Sequence, residues 1–316
     1  MILGNKFKNH SMVQYGVWPN CCNNCAFCLR EERRPYSKEE QLLWLDRIKK
    51  NITLIDWENQ FSFGISLLGG ELYFITDKDL QESFLELIDV IIEKVLKVSK
   101  NPSCKYSTVT NGLYNPEFLY KVIDKIVNSV GIQYVDVNFS FDLKYRFKNE
   151  EDKQLVLKNI NDFHNRYDYC VGVQMILTQY LINLWKDNKF TVSEFENKYI
   201  PGNVLTFLYP HPIHTGLNLT DFNFNRPDFL RFLNYLKESN YSTYLSFLHS
   251  TKNSCKFKYT GLRDRKDDSY LYQPALSDGK EIINPNCGHS TLYKCYTDCD
   301  KCLLCDLENL DEDAYV

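Results

Sequence analysis

Four cysteines stand within eight residues near the start of the chain: Cys21, Cys22, Cys25 and Cys28, in the stretch WPNCCNNCAFCLRE from Trp18 to Glu31. Read as Cys21-x3-Cys25-x2-Cys28, with Cys22 as a spare beside the first, they are three thiols at unequal spacing. Pro19, Asn20, Asn23 and Asn24 make the segment a loop. Thiolates favour soft metal centres, zinc or iron–sulfur clusters. A structural zinc site needs four ligands and usually shows paired C-x2-C knuckles. Three local ligands leave one metal position open, where a substrate can bind and be activated. A zinc loop or a reactive surface cluster is the plainer alternative on spacing alone.

A second group lies near the end of the chain, in NCGHSTLYKCYTDCDKCLLCD: Cys287, Cys295, Cys299, Cys302 and Cys305. The run Cys299-x2-Cys302-x2-Cys305 has the ligand spacing of a ferredoxin cluster, with Cys295 or Cys287 as a fourth thiolate. A tetrahedral zinc site competes with that reading, and His289 can replace one cysteine in either. Of twelve cysteines only Cys104, Cys170 and Cys255 are scattered. In a reducing compartment such clustering argues for metal ligation over disulfides.

Other chemistry-bearing groups follow apolar runs. Gly69-Gly70-Glu71 lets a backbone edge approach a ligand and offers a carboxylate to an ammonium group. Thr110-Asn111-Gly112 and Ser140-Phe141-Asp142 each end a strand-like run, with Lys144 and Arg146 just beyond the second. Each has a bland reading as a turn or a helix cap. His211 and His214, in LYPHPIHTG, cannot form a helical metal pair because Pro210 and Pro212 make the segment extended or turned. They are candidates for substrate bonding, proton transfer or loop structure.

These groups need a frame. Strand-like and helix-like periodicities alternate six times, from SMVQYGVWP through FSFGISLL, KYSTVTNG, YVDVNFSFD, VGVQMIL and VLTFLYP, and helical patterns lie between. Ser37 and Glu40 stand as a capping box before the first helix. Such alternation implies an α/β fold with a parallel sheet, either a doubly wound sheet or a complete or partial barrel. The first strand is followed by no G-x-G-x-x-G, which counts against a dinucleotide fold. The 316 residues, 44% hydrophobic and 25% charged, can bury an ordinary core in one large domain with an appendage or in two domains. A net charge of -4 gives no general reason to bind nucleic acid. Neither a signal peptide nor a span of ~20 apolar residues is apparent, so the expectation is a cytoplasmic protein with no membrane partner. After about residue 240 the alternation stops, the chain turns polar, and DGKEII suggests a small β-hairpin.

The C-x3-C-x-aromatic-C loop, with Phe27 in the aromatic place, resembles that of the radical S-adenosylmethionine (SAM) enzymes, and Gly69-Gly70-Glu71 is similar to the family's GGE motif. The resemblance implies a partial (β/α)6 barrel over residues 1–240 and a cysteine-rich extension over 241–316, similar to SPASM and twitch extensions. The C-x2-C-x5-C-x3-C spacing of SPASM is absent. It further implies that Cys21, Cys25 and Cys28 hold a [4Fe–4S] cluster whose fourth iron is chelated by SAM. One electron, from a donor such as flavodoxin or ferredoxin, then cleaves SAM to a 5′-deoxyadenosyl radical that takes a hydrogen atom from the substrate. By the same resemblance Phe27 shields adenine, Gly69, Gly70 and Glu71 position the SAM amino group, and Asn111, Ser140, Asp142 and Arg146 contact the rest. The tail cysteines hold a second [4Fe–4S] cluster or zinc. The substrate expected is a peptide or protein side chain. A nucleotide or other small metabolite is the alternative within the enzyme class. A non-enzymatic zinc-binding interaction protein is the reading outside it.

Overall fold

The computed structural model describes residues 12–23, 25, 28, 35–58, 64–208, 224–252, 270–274 and 281–284. The first strand, β1 (Met12–Gly16), runs directly into the cysteine loop. Helix α1 (Lys38–Thr53) starts at the expected capping box: Ser37 Oγ accepts from Glu40 N–H at 3.3 Å, and Glu40 Oε2 accepts from Ser37 N–H at 2.7 Å. Then follow β2 (Gly64–Leu68), α2 (Lys78–Ile91) with a π-helical turn Ile92–Leu96, β3 (Lys105–Thr110), α3 (Glu117–Val130), β4 (Val135–Phe141) and α4 (Glu150–Tyr167). The alternation continues with β5 (Gly172–Ile176), α5 (Gln179–Lys186), α6 (Val192–Tyr199), β6 (Val204–Leu208) and α7 (Arg226–Ser239). Helix α8 (Tyr241–Lys252) and a hairpin of β7 (Tyr270–Pro274) and β8 (Glu281–Asn284) complete the described elements.

The α/β expectation holds. The strand order is β6-β5-β4-β3-β2-β1-β7-β8, with β1 to β6 forming the six-stranded parallel part. A doubly wound sheet reverses its order at a switch point, whereas a barrel adds each strand beside the last. The unbroken sequence β1 to β6 is the barrel type. The expected hairpin is present, its first strand being YLYQP. That strand extends the sheet in parallel with β1, with Val13 opposite Tyr270. No helix among the described residues is long and apolar enough to cross a membrane.

Side chains alternate cleanly on β4. Val135, Val137, Phe139 and Phe141 are buried, and Asp136, Asn138 and Ser140 are only partly so. A parallel sheet covered on both faces reads as a continuous apolar run. Here one face is polar, as suits strands that present residues to a ligand.

The chain forms two compact units, each discontinuous in sequence. The first contains β1 to β3, β4 up to Asn138, α1 to α3, and the hairpin. Its core gathers Ile65, Leu67 and Tyr106 from the sheet and Leu87, Ile88, Ile123 and Ile126 from helices. Phe84 meets Trp18, Tyr73 and Phe118 at ring-centroid distances of 6.0, 6.1 and 5.7 Å. The second contains Cys25, Cys28, β4 from Phe139, and α4 to α8. There Phe139 packs on Phe163 at 5.9 Å, Phe141 on Phe195 at 5.5 Å and Phe207 on Phe232 at 5.8 Å.

Regular strand–helix alternation stops near residue 240 as expected, and helix α8 follows α7 directly. Asn240 Oδ1 accepts from Thr243 N–H at 3.2 Å, and Thr243 Oγ1 donates to the Leu205 carbonyl of β6 at 3.0 Å. With Tyr244 and Phe247 buried, tertiary contacts hold a helix that its Ser/Thr/Tyr-rich sequence supports weakly.

Candidate cofactor site at the strand ends

The loop that carries the cysteines is built onto the end of β2. Val17 N–H donates to the Leu68 carbonyl at 2.8 Å, continuing the β1–β2 ladder one residue past the end of β1. Beyond it the two chains stay paired: Gly70 N–H donates to the Trp18 carbonyl and Glu71 N–H to the Asn20 carbonyl, each at 2.7 Å. A Cβ on Gly69 would lie 2.6 Å from the Trp18 oxygen, and one on Gly70 2.0 Å from the Asn20 oxygen. The two glycines are thus required by close backbone approach. Asn20 also closes the neck of the loop, its Oδ1 accepting from Tyr36 N–H at 2.8 Å and its Nδ2 donating to the Tyr36 carbonyl at 3.0 Å. Its residue type had suggested only a turn.

Glu71 is 1% exposed and surrounded by donors. Oε1 accepts from Thr110 Oγ1 at 2.9 Å and Tyr73 N–H at 3.4 Å, while Oε2 accepts from Asn111 N–H at 2.6 Å. Thr110 Oγ1 is also 2.7 Å from the Tyr114 hydroxyl. Burial pushes the Glu71 carboxyl up to about 7, and the three donors oppose that rise without cancelling it. A carboxylate has about four acceptor positions, and the Tyr114 hydroxyl also bears on this one. A bound cation there would restore the ionised form.

Asn111 is placed against the cysteines. Its Oδ1 accepts from Leu113 N–H at 2.8 Å, and its Nδ2 donates to Cys22 Sγ at 3.4 Å and Cys21 Sγ at 3.6 Å. Cys21 Sγ also accepts from Asn23 N–H at 3.4 Å. Cys22 Sγ lies 3.7 Å from both Asn111 Oδ1 and the Leu113 carbonyl. Its hydrogen bond with Cys21 and its burial push the Cys22 thiol well above the ordinary range.

In the second unit, Cys28 N–H donates to the Cys25 carbonyl at 3.1 Å, so these two cysteines share a turn. Cys25 is 8% exposed and packs with Cys28, Tyr145 and Ile176. The buried carboxylate of Asp142 caps the turn after β4, its Oδ1 accepting from Lys144 N–H at 2.7 Å and from Tyr145 N–H. Burial raises the Asp142 carboxyl, while the turn amides and the charge of Arg146 act to lower it. Asp142 therefore takes the bland role, the turn cap. Ser140 lies on the polar face of β4, and Arg146 is partly buried.

The structure thus gathers Cys21, Gly69, Gly70, Glu71 and Asn111 in one unit, and Cys25, Cys28, Asp142 and Arg146 belong to the other. Thr110 joins them from its own motif, and Tyr114, Asn20 and Tyr145 through contacts that no motif announced. Phe27, His211, His214, Cys255, Cys287, His289, Cys295, Cys299, Cys302 and Cys305 lie outside the described residues. Among the described residues no three His, Cys, Asp or Glu side chains are drawn together closely enough to hold a metal ion. The donors present are nevertheless those a soft metal takes. Cys21 Sγ sits among N–H donors suited to a thiolate, and Cys25 and Cys28 share an apolar pocket.

No family model and no curated protein matches the chain. Among solved structures it is similar to anSMEcpe, solved with bound AdoMet and the Cp18Cys peptide, at 17% identity over 75% of this chain and 61% of that one (TM-score 0.47). It is also similar to Streptococcus suis SuiB bound to precursor peptide SuiA, at 13% identity over 74% of this chain and 48% of that one (TM-score 0.44). A further SuiB structure shows 14% identity over 97% of this chain and 67% of that one (TM-score 0.44). The chain spans about three-fifths of anSMEcpe and about half of peptide-bound SuiB. The likeness is one of fold.

Proposed function

We propose that the chain is a radical SAM enzyme. The observation that carries this reading is the locking of the cysteine loop onto Gly69-Gly70-Glu71 by the Gly70 and Glu71 amides. That pairing sets the segment that carries Cys21 beside a buried carboxylate at the ends of neighbouring parallel strands. Ligands of α/β folds collect at such ends. A plain zinc loop has no use for the buried carboxylate or for the two glycines.

In this reading Cys21, Cys25 and Cys28 hold three irons of a [4Fe–4S] cluster, and the fourth takes SAM. The cluster and SAM, when bound, supply hydrogen-atom abstraction through one-electron cleavage of SAM, with flavodoxin or ferredoxin as the electron donor. The protein's part is binding and orientation. Glu71 receives the SAM ammonium, and the glycines keep the neighbouring backbone edge open. Phe27 covers adenine. Ser140 and Arg146 contact the remainder of SAM, with Asp142 fixing the turn that carries Arg146. Asn111 supports the site from the cysteine side.

The substrate proposed is a peptide or protein side chain, on the strength of the SPASM-like cysteine tail, which holds a second [4Fe–4S] cluster or zinc. A nucleotide or other small metabolite is the second choice.

Glu71→Gln tests the ligand side directly. A hydrogen bond to a charged group contributes about 1.5–3 kcal/mol, so SAM affinity measured by equilibrium dialysis is expected to fall about 10- to 100-fold. Iron content should stay at the wild-type level. Unchanged SAM affinity would remove Glu71 from the cofactor site.

A further inference from the structure

Two N–H groups converge on the sulfur of Cys21. One is the backbone amide of Asn23 at 3.4 Å, and the other is the side-chain amide of Asn111 at 3.6 Å. The first comes with the turn of the loop and is a backbone amide, which ordinary side-chain substitutions leave in place. The second reaches the loop from the end of β3, 90 residues away in the chain.

The orientation of the Asn111 amide is settled by its surroundings. An Asn side chain is assigned by its hydrogen bonds, since its oxygen and nitrogen are otherwise alike. Here the oxygen is claimed by Leu113 N–H at 2.8 Å, which turns the nitrogen toward the sulfurs of Cys21 and Cys22. The backbone of the same residue is tied to Glu71 Oε2 at 2.6 Å, and Asn111 is 5% exposed. Both its position and the direction of its donor are therefore fixed before any cofactor arrives.

A hydrogen bond to a ligand sulfur stabilises the more negative, reduced state of an iron–sulfur cluster and so raises its potential. On the basis of the radical SAM reading, we propose that Asn111 is a positioning residue that raises the reduction potential of the cluster through its N–H···S bond to Cys21. The same amide nitrogen lies 3.4 Å from Cys22 Sγ, and with two N–H groups it reaches both sulfurs. Replacing Cys22 with alanine leaves the amide to Cys21 alone.

The test is a redox titration of the reconstituted full chain without SAM, followed by the electron paramagnetic resonance signal of the reduced cluster. The cluster of the N-terminal cysteines is recognised as the one whose signal changes when SAM is added afterwards. Asn111→Asp keeps the acceptor for Leu113 N–H but turns an anionic oxygen toward the sulfurs, and Asn111→Ala removes the amide altogether. Both variants are expected to load iron as the wild type does. At the wild-type midpoint their reduced-to-oxidised ratio should fall about three- to tenfold, with Asn111→Asp the lower. Cys22→Ala should move the midpoint the other way or leave it in place.

Iron loading with an unchanged midpoint in both variants would overturn the inference and leave the radical SAM reading standing. Loss of the cluster from both would also overturn it, by making Asn111 a structural part of the loop. A wild-type chain that takes up no iron would remove the reading on which the inference rests.

Discussion

Gly70→Ala is expected to reduce SAM cleavage, measured as 5′-deoxyadenosine formed, by about 100-fold or more. The new Cβ would sit 2.0 Å from the Asn20 oxygen and 2.6 Å from both the Asn20 carbonyl carbon and the Pro19 oxygen. All three atoms are backbone, so no side-chain rotation relieves the overlap. The strand-end pairing must open, with loss of the hydrogen bonds from Gly70 N–H to Trp18 and from Glu71 N–H to Asn20. Overpacking costs roughly 1–3 kcal/mol and each of the two lost bonds roughly 0.5–1.5 kcal/mol, so destabilisation of about 2–6 kcal/mol is expected. A 1 Å misplacement in an active site can cost about 10²-fold in rate, which sets the scale of the loss. Thermal unfolding and product formation check the two halves separately. Wild-type turnover in Gly70→Ala would show that the cysteine loop does not depend on its seat against β2.

Cys25→Ala should abolish turnover outright. Cys25 is the most buried of the three proposed ligands, packed with Cys28, Tyr145 and Ile176, and nothing in that pocket substitutes for its sulfur. A cluster left with an incomplete thiolate set is labile, so iron should be lost along with activity. Cys22→Ala is the matched control. Its thiol is occupied with Asn111 and the Leu113 carbonyl, and it should retain iron and turnover. If Cys25→Ala forms 5′-deoxyadenosine at the wild-type rate, or if Cys22→Ala loses the cluster, the ligand register is wrong.

The α/β frame was legible because its periodicities are strong. The Val135–Phe141 strand alternates buried and half-exposed residues, and the Ser37–Glu40 box marks its helix start as expected. Helix α8 was illegible for the opposite reason. YSTYLSFLHSTK has little intrinsic helical preference, and Leu205, 38 residues earlier in the chain, supplies its anchor.

In the site, residue types were readable but their partners were not. Gly69 and Gly70 suggested close approach, yet only the fold shows that they approach Trp18 and Asn20. Asn111 suggested a contact with SAM, and only the fold shows its amide turned toward Cys21 and Cys22. Asp142 suggested either a ligand contact or a turn cap, and its Oδ1 accepts from Lys144 and Tyr145 N–H as a cap does. The direction of a side-chain amide or carboxylate depends on groups brought from distant sequence, which no local pattern contains.

The most direct test of the central claim is the iron, sulfide and zinc content per chain after anaerobic reconstitution, in the wild type and in a Cys21→Ala/Cys25→Ala/Cys28→Ala triple variant. The account predicts that the triple variant loses about four irons and four sulfides relative to the wild type. Iron or zinc remaining in the variant would then report what the tail cysteines hold. A wild-type chain without iron, or a triple variant with as much iron as the wild type, would contradict it.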